Sequence, residues 1–323
     1  MVLSSRHLNP SLPTRVGLIG YGEVGRILAE DLRQLGLSVT AYDIQLTAPI
    51  DAARVASVKA MQTHAQSMGV VLHDAPEQVC AHSEWVFCAV TANQTLAAAQ
   101  ACAPHLWADA WFVDLNSASP GTKIAAAQVV DAAGARYVEA AVMTSVPPHR
   151  LKVPMRLGGS HAPQASTLLH SLGFQTQVAS EQLGVASATK MARSIMIKGM
   201  EALVTESLTT ARHHGVEDAV IASLYETFPG IDWEKQATYF FQRVIEHGRR
   251  RSEEMREVAV TVQETGQKAW MAQAIAERQA HMADWADDGV FGERGAPGFA
   301  RSADWRTEAD RLLHRIHAKK DAP

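Results

Sequence analysis

The stretch Gly20-Tyr21-Gly22-Glu23-Val24-Gly25 constrains this chain more than any other feature. Its G-x-G-x-x-G pattern follows the apolar run VGLIG and opens a helical pattern, and a second apolar run ends in Asp43, 23 residues after Gly20. Glycines at these positions let the chain turn tightly, so that backbone N–H groups approach a pyrophosphate at the positive end of a helix. The register of strand, turn, helix and acid predicts a dinucleotide-binding βαβ unit.

The acid at the end of the second run indicates which dinucleotide binds. Asp43 would accept hydrogen bonds from the adenosine ribose hydroxyls, and its charge would repel the extra phosphate of NADP. The next residues, Ile44 and Gln45, supply no arginine for that phosphate. We therefore expect NAD, with NADP less favoured. Taken alone, the motif also suits an ordinary strand-to-helix turn, an FAD protein or a methyltransferase.

Strand and helix patterns alternate from residue 14 to residue 180, and only helical patterns follow from residue 181. Continuous apolar runs are typical of parallel strands covered by helices on both faces. We predict an α/β Rossmann domain at 14–180 with a doubly wound, mostly parallel sheet, and an all-helical substrate and dimerisation domain at 181–323. The eight expected strands are RVGLIG, SVTAYD, GVVLHD, EWVFCAV, AWFVDL, RYVEAAVM, KVPMRLGG and FQTQVAS. The Gly-rich segment 287–298 is the expected mobile loop.

Composition excludes several classes of protein. The net charge is only -4, which does not suggest a nucleic-acid partner. The three cysteines have no metal-ligand spacing, and no zinc-binding histidine motif is present, so we expect no metal site. No apolar run reaches the length of a membrane helix, and the N-terminal tail lacks a signal-peptide core. We expect a cytoplasmic protein whose partner is a small molecule.

A second constellation lies on the first long helical pattern after the sheet. Ser187, Lys190, Ser194, Lys198, Glu201 and Thr205 recur every three or four residues and form one polar stripe. The other faces carry Met191, Ala192, Ile195, Met196, Met200, Leu203 and Val204, so we expect most of this helix to be buried. A narrow polar stripe on a buried helix suggests a cleft, where a desolvated lysine amine could exchange protons. The alternative is a solvated edge with Lys190 in water.

Four segments, in order, resemble the β-hydroxyacid dehydrogenase and 6-phosphogluconate dehydrogenase superfamily. The nucleotide motif is followed by DLNSASP at 114–120, similar to the family's D-x-S-T-x-x-P, and by YVEAAVMT at 137–144, similar to D-A-P-V-S-G. Residues 184–194 are similar to the G-x-x-x-x-x-K-x-x-x-N helix. The runs KMARSIMIKG and HGRRRSEEM resemble a poorly characterised bacterial branch with its own C-terminal helical domain.

The resemblance implies roles for the matching residues. Lys190 would be the general acid/base, Asn116 or Ser117 would orient the substrate, and Ser194 would bond near the reacting oxygen. Met143, Thr144 and Arg193 would line the substrate side. Val90 and Thr91 would lie near the cofactor, because ligands of open α/β sheets bind at the carboxyl ends of strands. Departures from the family pattern at Glu139, Met143, Arg193 and Ser194 indicate a substrate pocket unlike that of a standard member.

Basic residues suggest that the substrate is anionic. Arg193, His149-Arg150 and Arg249-Arg250-Arg251 could bind a carboxylate or phosphate, although the triple arginine also suits a solvated helix face that pairs with nearby glutamates. The helical half has more apolar surface than one helix pair can cover, and relatives dimerise there, which predicts a homodimer.

We therefore expect an NAD(P)-dependent dehydrogenase or reductase that transfers a hydride between a nicotinamide and a small hydroxy acid or its carbonyl counterpart. An imine reductase on the same scaffold is an alternative, although those enzymes generally replace the lysine. A non-catalytic dinucleotide sensor is a second alternative, consistent with the substitutions at Met143 and Ser194.

Overall fold

The computed structural model describes residues 13–47, 52–296 and 298–320. Residues 1–12 of the expected N-terminal tail and Pro297 of the expected mobile loop lie outside the described residues. The chain divides into two compact units, with the boundary between Lys190 and Met191. The first unit contains the sheet, and the second consists of helices.

Eight strands form one mostly parallel sheet, as the sequence predicted. The spatial order is β3-β2-β1-β4-β5-β6-β7-β8, and only the β6–β7 pair is antiparallel. The order reverses between β1 and β4, which is the place where doubly wound folds bind ligands. The strands are β1 (Arg15–Ile19), β2 (Ser38–Tyr42), β3 (Val71–Leu72), β4 (Trp85–Cys88), β5 (Trp111–Asp114), β6 (Arg136–Val142), β7 (Met155–Gly158) and β8 (Thr176–Ser180).

The helices of the first unit connect these strands, and those of the second follow them. The connecting helices are α1 (Glu23–Gln34), α2 (Ala52–Met68), α3 (Pro76–Cys80), α4 (Thr95–Cys102), α5 (Pro120–Ala132) and α6 (Ala162–Ser171). The later helices are α7 (Val185–His214), α8 (Glu217–Thr227), α9 (Trp233–Glu264), α10 (Trp270–Asp287) and α11 (Trp305–Lys320). Their breaks fall at Pro229-Gly230, Gly266 and Gly289, where the sequence predicted turns.

Both faces of the sheet are covered. Trp85 and Phe87 of β4 pack into one apolar cluster, and the alternate residues Val86 and Cys88 pack into another. Because successive side chains of a strand point to opposite faces, this division explains why the strand sequences are continuously apolar. Trp85 also stacks on Trp111 of β5 at 4.9 Å between ring centroids.

The second unit is built around the antiparallel pair α9 and α10. Gly248 allows their close approach, because a Cβ there would lie 2.5 Å from the carbonyl oxygen of Gln279. The core around this pair includes Phe241, Trp285 and Trp305. No helix within the described ranges is both long enough and apolar enough to cross a membrane.

The prediction that the apolar positions of α7 are buried is correct at Met191 and Val204 and wrong at Ala192, Met196 and Leu203. Within the second unit the polar positions Ser194, Lys198, Glu201 and Thr205 are buried, whereas Met196 is 66% exposed and Leu203 is 59% exposed in the single chain. Ala192 is also exposed. The physical reason is that α9 presents charged partners to the polar stripe, which the helical period of α7 alone does not reveal.

Candidate active site

The glycine-rich turn between β1 and α1 fits a dinucleotide. Gly20 has φ +95°, and a Cβ there would lie 2.3 Å from the carbonyl oxygen of Ala89. A Cβ at Gly25 would lie 2.2 Å from the carbonyl oxygen of Gly20, whereas one at Gly22 would meet no atom within 4 Å. Gly22 is also the N-cap of α1 and offers no capping side chain. The first N–H groups of α1 therefore have the exposure that a pyrophosphate requires.

Asp43 lies beside this turn, as the sequence predicted. Its buried carboxylate accepts hydrogen bonds from the backbone N–H groups of Tyr21, at 2.8 Å, and Gln45, at 2.9 Å. An ionised carboxylate has about four acceptor positions, so two remain for ribose hydroxyls. The arrangement fits the adenosine half of a nicotinamide dinucleotide.

The other residues of the motif differ in exposure. The side chain of Tyr21 is buried, and its hydroxyl bonds to His64 at 3.0 Å, so only its backbone lies at the turn. Burial raises the pKa of Tyr21 to about 12. Glu23 is exposed and Val24 is half-buried at the start of α1.

Asn116 links the ends of two neighbouring strands. Its Oδ1 accepts from the Val90 backbone N–H at 2.7 Å, and its Nδ2 donates to Cys88 Sγ at 3.3 Å. Burial raises the pKa of the Cys88 thiol to about 12, so it remains a neutral partner. The Asn116 amide thus holds the chain after β4 against the chain after β5. Thr91, the residue after Val90, is exposed.

Lys190 reaches the same edge of the sheet. Its Nζ donates to Ser117 Oγ at 2.5 Å, and both side chains are half-buried. Ser117 directly follows the Asn116 bridge, at the carboxyl end of β5. The first unit therefore brings together an amine and a hydroxyl at the end of the sheet where ligands of this fold bind.

Glu139 on β6 fixes the start of the helix that carries Lys190. This fully buried carboxylate accepts from the backbone N–H groups of Gly184, at 2.8 Å, and Ser187, at 2.5 Å. A carboxylate at this position satisfies N–H groups that a helix leaves unpaired and stabilises the positive end of its dipole. The glutamate that departs from the family pattern is thus a cap for α7.

Sequence reasoning missed a buried ion pair beneath the site. Lys123 Nζ lies 2.8 Å from Asp114 Oδ1 and donates to the Asp114 carbonyl oxygen at 3.0 Å. The Tyr137 hydroxyl donates to Asp114 Oδ2 at 2.6 Å, and the Asn116 backbone N–H donates to Oδ1. Burial, with the adjacent Asp114 charge, raises the pKa of Tyr137. The available signal was a single lysine in the apolar helix sequence PGTKIAAAQVV, a few residues after the motif aspartate.

The remaining predicted substrate residues have few contacts. Met143 is half-buried, and its backbone N–H donates to the Pro154 carbonyl oxygen at 2.9 Å. Thr144 is exposed. Arg193 is exposed. Ser194 is buried, and its hydroxyl accepts a hydrogen bond from Lys198 Nζ at 3.2 Å. In this structure the hydroxyl is therefore bonded within the second unit.

Most of the basic residues predicted to hold an anion already have carboxylate partners. Arg150 pairs with Glu30 at 2.7 Å and with Asp31 at 2.6 Å. The triple arginine separates into three environments: Arg249 pairs with two aspartates of α10, Arg250 pairs with Glu254, and buried Arg251 pairs with Glu201. Only the Arg250 pair matches the predicted pairing along the helix.

Metal chemistry finds no support in the part of the chain that the structure describes. No group of three or more metal-ligating side chains occurs among those residues. Cys80, Cys88 and Cys102 are all buried free thiols.

Comparisons with known proteins agree with this architecture. Residues 15–150 match the NAD binding domain of 6-phosphogluconate dehydrogenase, and residues 211–282 match a domain of unknown function, DUF1932. A conserved hypothetical protein from Sinorhizobium meliloti is 35% identical, with 94% of this chain and 97% of that chain covered and a TM-score of 0.71.

Two further solved structures are similar. A conserved protein of unknown function, MTH1747, described as structurally similar to 3-hydroxyacid dehydrogenases, is 30% identical over 84% of this chain and 98% of its own, with a TM-score of 0.64. The Mycobacterium tuberculosis 3-hydroxyisobutyrate dehydrogenase is 14% identical over 93% of this chain and 99% of its own, also with a TM-score of 0.64. At that identity the last similarity shows the fold alone.

The nucleotide turn, the ordered motifs and the full-length relatives lead to one assignment. The chain belongs to the 6-phosphogluconate dehydrogenase-like superfamily, in the group that joins its nicotinamide-dinucleotide-binding domain to a C-terminal DUF1932 domain and whose structural neighbours are 3-hydroxyacid dehydrogenase-like.

Proposed function

We propose that this protein is an NAD-dependent oxidoreductase of the cytoplasm that acts on a small, anionic hydroxy acid or on its keto or aldehyde counterpart. The observation that carries the proposal is the 2.5 Å contact between Lys190 Nζ and Ser117 Oγ at the carboxyl end of β5. It lies in the same compact unit as the glycine turn and Asp43.

Lys190 and Ser117 have the chemistry that alcohol oxidation requires. A bound nicotinamide dinucleotide, held by the glycine turn and Asp43, would supply the hydride acceptor for the carbon that bears the hydroxyl group. Lys190, as the neutral amine, takes the hydroxyl proton, and as the ammonium it returns a proton in the reductive direction. Ser117 orients the substrate oxygen toward Lys190 Nζ. Asn116 keeps the two strand ends in register, because its amide already bonds to Val90 and Cys88.

The environment of Lys190 supports this role. Lys190 is half-buried, and burial disfavours the charged form of an amine because that form loses hydration. The buried carboxylate of Glu139 accepts two backbone hydrogen bonds at the start of α7 and fixes the helix in position.

The preference for NAD rests on Asp43. Its buried carboxylate faces the turn where the ribose would lie, and a phosphate there would meet the negative charge. The adjacent Ile44 is exposed and uncharged, so the chain after Asp43 offers no compensating cation. Titration of nicotinamide fluorescence with NADH and NADPH measures the preference, and equal affinities would contradict it.

The proposal is tested by Lys190→Ala in a panel of hydroxy acids, keto acids and imines. General acid/base groups contribute about 10²- to 10⁴-fold to rate, so we expect a kcat loss of that size with NADH affinity retained. Lys152→Ala is the matched control, because Lys152 is an exposed lysine of the same unit. Turnover of Lys190→Ala at the wild-type rate would disprove the role of the lysine.

The same panel separates the alternatives. Reduction of imines without turnover of any hydroxy or keto acid would identify an imine reductase. Binding of NADH without turnover of any compound would favour a sensor. The retained lysine beside Ser117 favours the dehydrogenase.

We also propose that a second copy of the chain covers the exposed side of α7. Met196, Met200 and Leu203 recur at helical spacing, and Met196 and Leu203 are largely exposed in the single chain. An apolar stripe of this kind is typical of a subunit interface. Sedimentation of Leu203→Arg is expected to give a monomer where the wild-type chain gives a dimer. A monomeric wild-type protein would rule out the interface.

A further inference from the structure

Arg243 on α9 is a half-buried cation without a carboxylate partner. Among the described residues its guanidinium makes only a cation–π contact, 6.0 Å from the ring of Tyr239. Its Nε is buried and forms no hydrogen bond. A buried donor without an acceptor costs free energy, and the terminal nitrogens of Arg243, which are not among the buried unpartnered atoms, are available to an anion.

The surroundings of Arg243 are also positive. His247 and Arg251 follow at four and eight residues along α9, which places all three on one face of the helix. Arg251 is buried, and its Nε has no hydrogen-bond partner either, although its other end pairs with Glu201. Burial, followed by the charge of Arg251, lowers the pKa of Arg243 from its ordinary value.

The carboxylates nearby are shared among several cations. Glu254 lies 3.0 Å from Lys198 Nζ and 2.5 Å from the Arg250 guanidinium. Glu201 forms an ion pair with Arg251 and accepts a hydrogen bond from the Gln279 amide. A third carboxylate, Glu246, lies 3.6 Å from His247 and pairs with Arg301. These three carboxylates serve four cations, and Arg243 is a fifth cation without one. The excess of positive charge suits a ligand with two negative charges better than one with a single charge.

The face is accessible to solvent. Tyr239 at one end and Arg250 beside Arg251 are exposed, Arg243 and His247 are half-buried, and Arg251 is buried. An anion can therefore reach Arg243 and His247 from solvent. An arginine fork binds a tetrahedral oxyanion through two parallel hydrogen bonds.

We propose that Arg243, His247 and Arg251 form a binding site for a small dianion, a phosphoryl or sulfate-like group, on the helical unit. Arg243 donates from the terminal nitrogens of its unpaired fork, the neutral imidazole donates from one ring nitrogen, and buried Arg251 contributes positive charge. The site requires no dinucleotide and goes beyond the proposed function, so neither depends on the other.

Calorimetric titration with sodium sulfate at constant ionic strength tests the site. A helix N-terminus can also bind sulfate, and α1 has no side-chain cap, so the titrations use Gly22→Asp. Gly22 is open to solvent, and a carboxylate there excludes anions from the turn. We expect one saturable sulfate site in Gly22→Asp and at least tenfold weaker affinity in Gly22→Asp/Arg243→Gln. An unchanged affinity, or the absence of a saturable site in Gly22→Asp, overturns the proposal.

Two further variants make the test specific. Arg249→Gln removes an exposed arginine of the same helix that pairs with Asp284 and Asp287, so its sulfate affinity should stay within twofold. If Arg249→Gln loses as much affinity as Arg243→Gln, general charge explains the binding and the proposal fails. Arg243→Lys keeps the charge without the fork, should lose affinity to an intermediate degree, and replaces Arg243→Gln if that variant does not fold.

Other probes define the ligand and its source. Acetate, a monoanion, should bind at least tenfold more weakly than sulfate, and equal affinity would contradict a dianion site. Glycerol phosphate binding more tightly than inorganic phosphate would assign the site to a phosphorylated metabolite, and the reverse order to free phosphate. If Arg243→Gln changes the sedimentation coefficient but not sulfate affinity, the arginine contacts a second copy and the proposal is wrong.

Discussion

The two units bury charged side chains in different ways. In the sheet unit, Asp114 and Lys123 are almost fully inaccessible, and the Asp114 carboxylate receives bonds from Lys123, Tyr137 and a backbone N–H. In the helical unit, a cluster that contains Lys198, Glu201, Arg251, Glu254 and Gln279, here called the helical cluster, leaves Arg251 Nε and Gln279 Oε1 buried without partners. No buried side-chain nitrogen or oxygen of the first cluster is without a partner, whereas two such atoms of the second cluster are.

The difference separates two uses of buried charge. A fully satisfied network is rigid and suits a group that must hold its neighbours in place. The Asp114 cluster lies directly beneath the turn that carries Asn116 and Ser117, so its rigidity is transmitted to the proposed catalytic pair. A network in which cations lack acceptors within the chain can bind an anion, which is the basis of the proposed dianion site.

The largest expected difference comes from removing one lysine from each cluster. Lys123→Met leaves Asp114 buried and without its counterion, and breaking a buried pair in this way costs about 3–5 kcal/mol of unfolding free energy. In Lys198→Met, Glu254 keeps its ion pair with Arg250. The substitution also removes an amine whose pKa is lowered by burial. We expect a loss of about 1 kcal/mol or less for Lys198→Met, since its partner stays paired. Urea unfolding at pH 7 measures both.

The comparison would fail if the two variants lost similar stability. Lys152→Met is the control for the general effect of replacing a lysine, because Lys152 is exposed, and it should be within about 0.5 kcal/mol of wild type. A loss in Lys198→Met as large as that in Lys123→Met would show that both clusters are equally well satisfied.

Much of the fold followed from sequence patterns, because the signals are local. All eight strands were expected from continuous apolar runs, and the breaks after α8, α9 and α10 were expected from glycine and proline. The glycine turn and Asp43 were found because the dinucleotide motif fixes residue spacing along the chain.

The missed features depend on contacts between different helices and strands. Lys123 and Glu139 each gain their role from a partner on another element, Asp114 for the first and the start of α7 for the second. The burial of the polar stripe of α7 was missed for the same reason, since Glu254 of α9, which pairs with Lys198, lies more than fifty residues away. Side-chain type and period cannot report such pairings.

A smaller effect is expected at the cap of α7. Glu139→Gln replaces a carboxylate that accepts two backbone hydrogen bonds by an amide whose NH₂ group faces an N–H donor. Charge-assisted hydrogen bonds at a helix end contribute about 1.5–3 kcal/mol, so we expect a loss of about 2 kcal/mol. Glu181→Gln, at an exposed position shortly before the helix, is the control and should have little effect. Equal stability of both variants would remove Glu139 from its capping role.

The smallest predicted effect tests the helical cluster through pH. Burial, and then the charge of Arg243, lowers the pKa of His247 to about 4, while Glu246 lies 3.6 Å away. The further cations acting on this imidazole are Arg250, Arg251 and Arg301. Because the folded pKa is below the ordinary value of about 6.5, the unfolded chain binds the proton first as pH falls. The stability is therefore complete above about pH 6.5 and is lost as the pH falls toward 4.

Solvent screening of the partly exposed ring reduces the size of this loss to about 1–2 kcal/mol. Urea unfolding of wild type and His247→Gln at pH 7 and pH 4.5 isolates it, since the other titrating groups are common to both chains. Wild type should lose more stability than His247→Gln over this interval, and equal losses would show that the arginines do not act on the ring. Sulfate should reduce the wild-type loss, because a dianion beside the imidazolium offsets the repulsion from Arg243. If sulfate does not reduce the loss of stability of the wild type between pH 7 and pH 4.5, the anion binds elsewhere. The helical cluster would then be a structural network like that around Asp114.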